Sequence, residues 1–254
     1  MKITIITVCY NAEKEIERTI RSVLNQSYCD MEYIIVDGGS KDDTIKKVKH
    51  IVKEYPARSV VIISEPDNGI YDAMNKGIKH ASGEWINMMN AGDTFADNNV
   101  LYNIFKKEIP ENIKFIYSDF YKLTSFGKYF RVHKECNEHT RSLVHQSTIY
   151  KKELHEIYGY YVVTSKIIVS DLLFFLQIPL EHILKTDTVI AKYEGNGVSE
   201  TGSWCTEQGL CANVVYRHIS FWSIYLKFLK WKLKHLVPLR IREYLRLKSS
   251  GVII

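Results

Sequence analysis

The sequence has little with which to staple itself together or to cross a membrane. Its five cysteines (Cys9, Cys29, Cys136, Cys205, Cys211) are odd in number and include no Cys-x-x-Cys pair. That argues against a disulfide framework or a thiolate zinc site, and it predicts a reducing, cytoplasmic setting. Long apolar runs are missing as well. Only Ile3–Val8 leans apolar before Asn11 and Glu13-Lys14-Glu15, too short a run for a signal peptide. No stretch of about 18 uncharged apolar residues offers a transmembrane helix. Gly-x-Gly-x-x-Gly and the P-loop lysine motif are both absent, and so are internal repeats.

Acidic residues are scarce in one place only. The 254 residues carry 34 Lys and Arg against 29 Asp and Glu, a formal net charge of +5. Nine of those basic side chains but a single acid, Glu243, fall between Tyr216 and Lys248, leaving 25 basic against 28 acidic elsewhere. A uniformly basic nucleic-acid binder is excluded, and no nucleic-acid partner is expected. A length of 254 residues suits one substantial α/β domain or one domain with a small appendage, and 46% hydrophobic against 25% charged residues argues against wholesale disorder.

What is present is an alternation of short β-branched runs and amphipathic stretches. Strands are predicted over Ile3–Val8, Glu32–Val36, Ser59–Ser64, Trp85–Met89 and Lys114–Ser118. Helices are predicted over Ala12–Gln26, Asp42–Tyr55, Ile70–Ala81 and Asn98–Lys107. Ile16, Ile20, Val23 and Leu24 mark the apolar stripe of the first helix; Ile45, Val48, Ile51 and Val52 mark that of the second. Such alternation makes right-handed βαβ units and a mainly parallel sheet, an α/β fold whose ligands gather at the carboxyl ends of the strands. Further on come strand-like pieces at Gly127–Val132 and Thr148–Tyr150, a helix near Ser170–Gln177 and a strand over Thr186–Tyr193. Beyond Ser203 a long helical stretch is broken near Pro238.

The unusual polar residues fall at those strand ends. Asn11 follows the first strand, where it suits a helix N-cap or a site loop. The second strand runs into Asp37-Gly38-Gly39-Ser40, whose glycines allow a tight turn and a close approach by a ligand. A carboxylate at Asp37 can accept hydrogen bonds from a base or ribose, while Ser40 or Asp42 suits the cap of the next helix. In Ser64–Gly77, Asp72, Asn75 and Lys76 stand three and four residues apart and share a helix face, as site residues or as a surface pair. The fourth strand ends in Asn90-Ala91-Gly92-Asp93, hard oxygen ligands of the kind Mg²⁺ or Mn²⁺ takes when it also binds a diphosphate.

Taken in order, Thr7–Asn11, Val36–Ser40, Glu65–Gly77, Gly83–Ile86 and Asn90–Asp93 resemble the inverting glycosyltransferases of family 2, which have the GT-A fold. The block Ser64–Gly77 is especially similar to bacterial colanic-acid and O-antigen glycosyltransferases. His145–Tyr150, Val169–Asp171 and Gly195–Ser199 extend the likeness over nearly the whole chain. The resemblance implies a GT-A catalytic domain over 1–203, its nucleotide-sugar half about 1–118 and its acceptor half about 119–203, followed by a basic helical extension over 204–254. It implies transfer from a uridine- or guanosine-diphosphate sugar to a lipid-linked glycan of a surface polysaccharide. By the same likeness Val8, Tyr10, Asn11, Asp37, Gly38, Asp67, Asp72, Asn75, Lys76, Asn90 and Ala91 contact the nucleotide sugar. Asp93 holds a divalent cation (Mg²⁺ or Mn²⁺), and His145 and Gln146 line the acceptor or diphosphate site. Asp171 matches the general base, although an Asp there also suits a helix start.

Two positions depart from the pattern. Many relatives carry Asp-Asp-Gly-Ser where this chain has Asp37-Gly38-Gly39-Ser40, and Asp-x-Asp-Asp where it has Asn90-Ala91-Gly92-Asp93. The first leaves the nucleotide open; the second leaves one carboxylate for the cation. In the extension, Phe221, Trp222, Tyr225, Phe228 and Trp231 mix with Lys227, Lys230, Lys232, Lys234, Arg240, Arg242 and Arg246. That mixture suits a helix lying on an anionic membrane at the inner face of the cytoplasmic membrane, or a packed helix with a solvated face. A sugar-phosphate nucleotidyltransferase would need a glycine-rich loop where Cys9–Ala12 stands. A non-catalytic scaffold of the same fold would have no use for Asp93 and Asp171.

Overall fold

The computed structural model describes residues 1–137, 140–141, 143–194, 204–217 and 221–249. Gly195–Ser199, part of the family likeness, lies outside the described residues.

Two adjacent strands are buried along their whole length, β1 (Ile3–Cys9) and β2 (Met31–Asp37). Alternate residues serve opposite faces, as the period of two in a strand requires. Ile3, Ile5, Tyr33 and Ile35 join a core with Ile16, Ile20 and Val23 of α1 (Ile16–Leu24) and Val48 and Ile51 of α2 (Thr44–Lys53). Ile6, Val8, Ile34 and Val36 face the other way, onto Met74 and Ile78 of α3 (Ile70–His80). Gly77 lets α3 approach that closely, since a Cβ there would meet Ile6 Cγ2 at 2.5 Å. Coverage on both faces is why these strands read as continuous apolar runs.

The main sheet adds β3 (Ser59–Ser64), β4 (Trp85–Met88), β6 (Phe115–Tyr117), β11 (Thr148–Lys151) and β12 (Ile183–Lys185), in the order β12-β6-β11-β4-β1-β2-β3. All its pairings are parallel except those of β11, which runs antiparallel to β4 and to β6. The chain leaves β1 for β2 and β3 on one side and returns to β4 on the other. The carboxyl ends of β1 and β4 therefore flank a switch point, the place where such sheets bind ligands.

A smaller four-stranded sheet comprises β5 (Thr94–Phe95), β7 (Phe120–Leu123), β8 (Tyr129–Val132) and β13 (Ala191–Tyr193). β9 (Cys136–Asn137) pairs with β10 (Thr140–Arg141). The strand expected over Thr186–Tyr193 is shorter than predicted: only β13 (Ala191–Tyr193) falls in that span, while β12 ends just before it at Lys185. β12 closes the main sheet, and β13 pairs with β7 and β5 after the chain has crossed over. The remaining helices are α4 (Val100–Phe105), α5 (Leu154–Tyr158), α6 (Ser170–Gln177), α7 (Trp204–Arg217), α8 (Phe221–His235) and α9 (Leu239–Ser249). Among the described residues no helix is long and apolar enough to cross a membrane, and no disulfide joins any of the five cysteines.

The basic tail divides into two parts. α9 is tied to the domain by its one acid: Glu243 is buried and accepts from Ser125 N–H at 3.0 Å and from the Ser125 hydroxyl at 2.5 Å. Leu247 is fully buried, and the Arg246 guanidinium lies 5.7 Å from the Phe130 ring centre. α8 instead leaves Trp222, Tyr225, Leu226, Leu229 and Leu233 exposed beside its lysines.

Candidate active site

The loops after β1 and β2 are clasped together. Asn11 takes a left-handed backbone (φ 48°). Its N–H donates to Ser40 Oγ at 2.8 Å, and its Oδ1 accepts from Lys41 N–H at 2.8 Å. It does not cap α1, because that helix starts only at Ile16 and Asn11 is spent on the turn. Asp37 is fully buried, and its carboxylate accepts from Gly39 N–H, Ser40 N–H, the Ser40 hydroxyl and Ser64 Oγ. In this arrangement it braces the turn. Asp42 likewise accepts from Thr44 N–H at 3.0 Å ahead of α2. Tyr10 beside this loop is well exposed, an aromatic face open to a base.

Asp67 reaches over the same turn from the β3–α3 loop. Its Oδ1 accepts from Gly69 N–H at 2.9 Å, while its Oδ2 lies where a side chain at Gly38 would have to stand. On α3 the three spaced polar residues part company. Asp72 accepts from Asn68 N–H at 2.9 Å and Lys76 pairs with Glu65 at 2.9 Å, both toward the loop. Asn75 is buried and staples the Tyr161 backbone, donating to its carbonyl at 2.8 Å and accepting from its N–H at 3.0 Å.

The turn after β4 is held from α1. Thr19 Oγ1 accepts from Gly92 N–H at 2.9 Å and donates to Asp93 O at 2.8 Å; Arg18 Nε donates to Gly92 O at 3.0 Å and pairs with Glu194 at 2.8 Å. The backbone also joins Val8 to this turn, with Ala91 N–H donating to Val8 O at 3.2 Å. Burial pushes the Asp93 carboxyl up to about 7, against the pull of His145 and Arg18. Asn90 Oδ1 is buried without a hydrogen-bond partner. A desolvated carboxylate and an orphaned amide oxygen in one turn fit a hard divalent cation that takes the rest of its shell from diphosphate and water. Among the described residues no cluster of three or more His, Cys, Asp or Glu could hold a metal unaided.

Across the switch point lies Asp171, near the start of α6. Its Oδ2 accepts from His145 Nδ1 at 3.0 Å, and its Oδ1 from the Tyr71 hydroxyl at 3.0 Å and Leu172 N–H at 2.9 Å. His145 Nε2 in turn faces Asn90 Nδ2 at 2.9 Å, so Nδ1 carries the proton. One path of hydrogen bonds therefore joins Asp171 to the turn that carries Asp93. Burial would raise the Asp171 carboxyl, but the hydrogen bond and charge of His145, with Tyr71 and Leu172, leave it below its ordinary value. Burial would lower His145, yet Asp171 and Asp93 raise it overall. Gln146, next to it, is buried with Oε1 unpartnered, and its backbone carbonyl is held by Asn87 Nδ2 at 3.2 Å.

The strand-end residues read from the sequence thus gather at one edge of the sheet, with Asn75 turned into the core. Sequence reasoning missed Tyr71, Arg18 and Thr19. Thr19 left one signal, a polar residue inside an apolar helical stripe.

The glycosyl transferase family 2 model matches residues 4–162. A PGL/p-HBAD biosynthesis glycosyltransferase of Mycobacterium bovis is 27% identical over 164 residues, 62% of this chain and 62% of that protein. The chain thus spans less than two thirds of that curated relative. S. aureus TarS, residues 1–349 in complex with UDP-GlcNAc, superposes with a TM-score of 0.65 at 16% identity, covering 85% of this chain and 65% of that one. A mannosyltransferase from Pyrobaculum calidifontis in complex with GDP-Man and Mn²⁺ gives 0.60 at 17% identity, covering 78% and 58%. At such identities these structures share the fold.

Proposed function

The chain belongs to glycosyl transferase family 2, and on that premise we propose that it is an inverting glycosyltransferase using a uridine- or guanosine-diphosphate sugar. The observation that carries this reading is the partly buried Asp171 carboxylate, kept ionised by His145 and Tyr71 and linked through His145 and Asn90 to the turn of Asp93. An acceptor hydroxyl attacks the anomeric carbon from the side opposite the diphosphate, and Asp171 takes its proton. Tyr10, Asp67 and the clasped loops after β1 and β2 orient the nucleotide; Asp72 and Lys76 hold the loop that carries Asp67. A divalent cation held by Asp93 and Asn90, when bound, supplies positive charge that stabilises the departing diphosphate. Residues 1–118 serve the nucleotide sugar and 119–203 the acceptor.

The acceptor in this reading is a lipid-linked glycan of a surface polysaccharide, reached at the inner face of a membrane on which α8 rests. Its support is the exposed aromatic and basic face of α8 and the PGL/p-HBAD biosynthesis in the name of the mycobacterial relative. The deciding experiment is mass spectrometry of products from a panel of uridine- and guanosine-diphosphate sugars with a polyprenyl-diphosphate glycan. Asp171→Asn should lower turnover by at least about a hundredfold while still binding the nucleotide, in line with the loss of a general base. Full turnover in that variant, or release of pyrophosphate in place of a nucleoside diphosphate, sinks the proposal.

A further inference from the structure

A carboxylate that must take one proton from one direction works best with a single lone pair open. Asp171 is arranged that way. Oδ1 accepts from the Tyr71 hydroxyl and from Leu172 N–H, which uses its two lone pairs. Oδ2 accepts from His145 Nδ1 and keeps one lone pair. His145 is no rival acceptor, because its Nε2 faces the Asn90 amide.

The Leu172 contact is local, as expected of an acid at a helix start. The Tyr71 contact is of another kind, joining residues 100 apart in the sequence. Tyr71 is buried on the first turn of α3, its ring 5.6 Å from that of Tyr161. Tyr161 is itself stapled by Asn75 of the same helix, so the phenol has little room to swing. The next residue, Asp72, holds Asn68 of the loop that carries Asp67. Two adjacent side chains of one helix therefore grip the nucleotide-sugar loop and the carboxylate.

We propose that Tyr71 is a positioning residue for transfer: by filling Oδ1 it makes Oδ2 the atom of Asp171 that takes the acceptor proton, and it sets that atom against the nucleotide-sugar loop. The inference rests on the reading of Asp171 as the general base. In the step, the acceptor oxygen bonds to the anomeric carbon and the bond from that carbon to the diphosphate oxygen breaks, its electron pair leaving with the diphosphate. The acceptor proton passes to Oδ2. The ionisable groups around Asp171 are Tyr71 on α3, His145 on the turn before β11, Tyr150 on β11 and Tyr161 in the loop before α6, with Asp93 beyond His145. Burial and the charge of Asp171 keep Tyr71 protonated, so it remains a donor throughout.

The first arm of the test needs no acceptor. The full chain is labelled with carbon-13 at the aspartate carboxyls, and the Asp171 signal is identified by its loss in Asp171→Asn. Tyr71→Phe removes a donor to the charged form, so the titration midpoint of Asp171 should rise by about half to one pH unit. An unchanged midpoint overturns the inference. Should Tyr71→Phe fail to fold, replacement of Tyr71 by 3-fluorotyrosine keeps the ring and strengthens the donor, and the midpoint should fall; a midpoint that stays put again overturns it. The second arm measures transfer with the nucleotide sugar and acceptor found by product analysis. Tyr71→Phe should cut kcat about 10- to 100-fold with the KM for the nucleotide sugar within about twofold. Added to Asp171→Asn it should cost nothing further. An equal loss in both backgrounds assigns Tyr71 a merely structural role and overturns the inference. If Asp171→Asn turns over normally, the base reading itself has failed; if it is inactive while Tyr71→Phe is normal, only this inference has.

Discussion

At the scale of single residues, a missing side chain and a present one answer each other. Gly38 has no Cβ, and Asp67 Oδ2 fills the space that one would need. The carboxylate absent from position 38 is therefore available at the same place from a different loop. If that oxygen reads the nucleotide, Gly38→Asp should expel it and weaken UDP binding at least tenfold by calorimetry, or about 1.4 kcal/mol. Gly38→Asp combined with Asp67→Gly should recover most of the loss, because one carboxylate then replaces the other. Equal UDP affinity in all three proteins would show that Asp67 only shapes the loop. Asp93 and the Asp37 turn stood out in the sequence because carboxylates and glycines directly after apolar strands are local anomalies, whereas Asp171, at the start of α6, was singled out only by the family resemblance. The work of Tyr71, Arg18 and Thr19 was not legible, since their partners stand 100 and 74 residues away.

At the scale of elements, α5 and α6 are joined by a histidine that the catalytic reading does not use. His155 is buried against Phe174 with ring centres 4.2 Å apart, faces the Tyr150 hydroxyl at 3.1 Å and donates to Gly159 O at 3.1 Å. Burial, helped by the charge of Lys152, holds it down to about 4 against the Gly159 bond, while an unfolded histidine titrates near 6.5. Between those values only the unfolded chain binds this proton, so stability falls on acidification from about pH 6.5 to 4, by up to about 3 kcal/mol. Urea unfolding at pH 7 and pH 4.5 should show His155→Gln less stable at pH 7 but losing about 2 kcal/mol less between the two. An identical acid loss would exclude His155 as its source. The elements β1–β4 and α1–α3 were readable to within a few residues because the strands are short β-branched apolar runs, β1, β2 and β4 buried throughout, while each helix buries an apolar stripe. The place of β12 just before Thr186 and the shortening of Thr186–Tyr193 to β13 were not, because each strand is set by its partners, β6 for one and β7 with β5 for the other.

At the scale of the whole molecule, the uneven charge of the sequence acquires a geometry. The lone acid of the tail anchors α9 under Ser125, while the lysines and exposed aromatics of α8 remain open. Reversing Lys227, Lys230 and Lys232 to Glu should lower co-sedimentation with phosphatidylserine vesicles at least tenfold, since each basic residue near such a surface contributes about 1 kcal/mol. Soluble-substrate turnover should be unchanged, and undiminished vesicle binding would assign the tail to packing alone. The sequence by itself determined the layered α/β order, the polar residues placed at the strand ends and the sign of the tail, because periodicity, turn residues and net charge are properties of neighbours along the chain. Only the tertiary structure decided that Asp67 stands in for a side chain at 38, that Tyr71 and His145 share Asp171, and that Glu243 is an anchor. Each of those depends on a hydrogen bond or steric fit a few ångströms long between residues that only the folded sheet brings together.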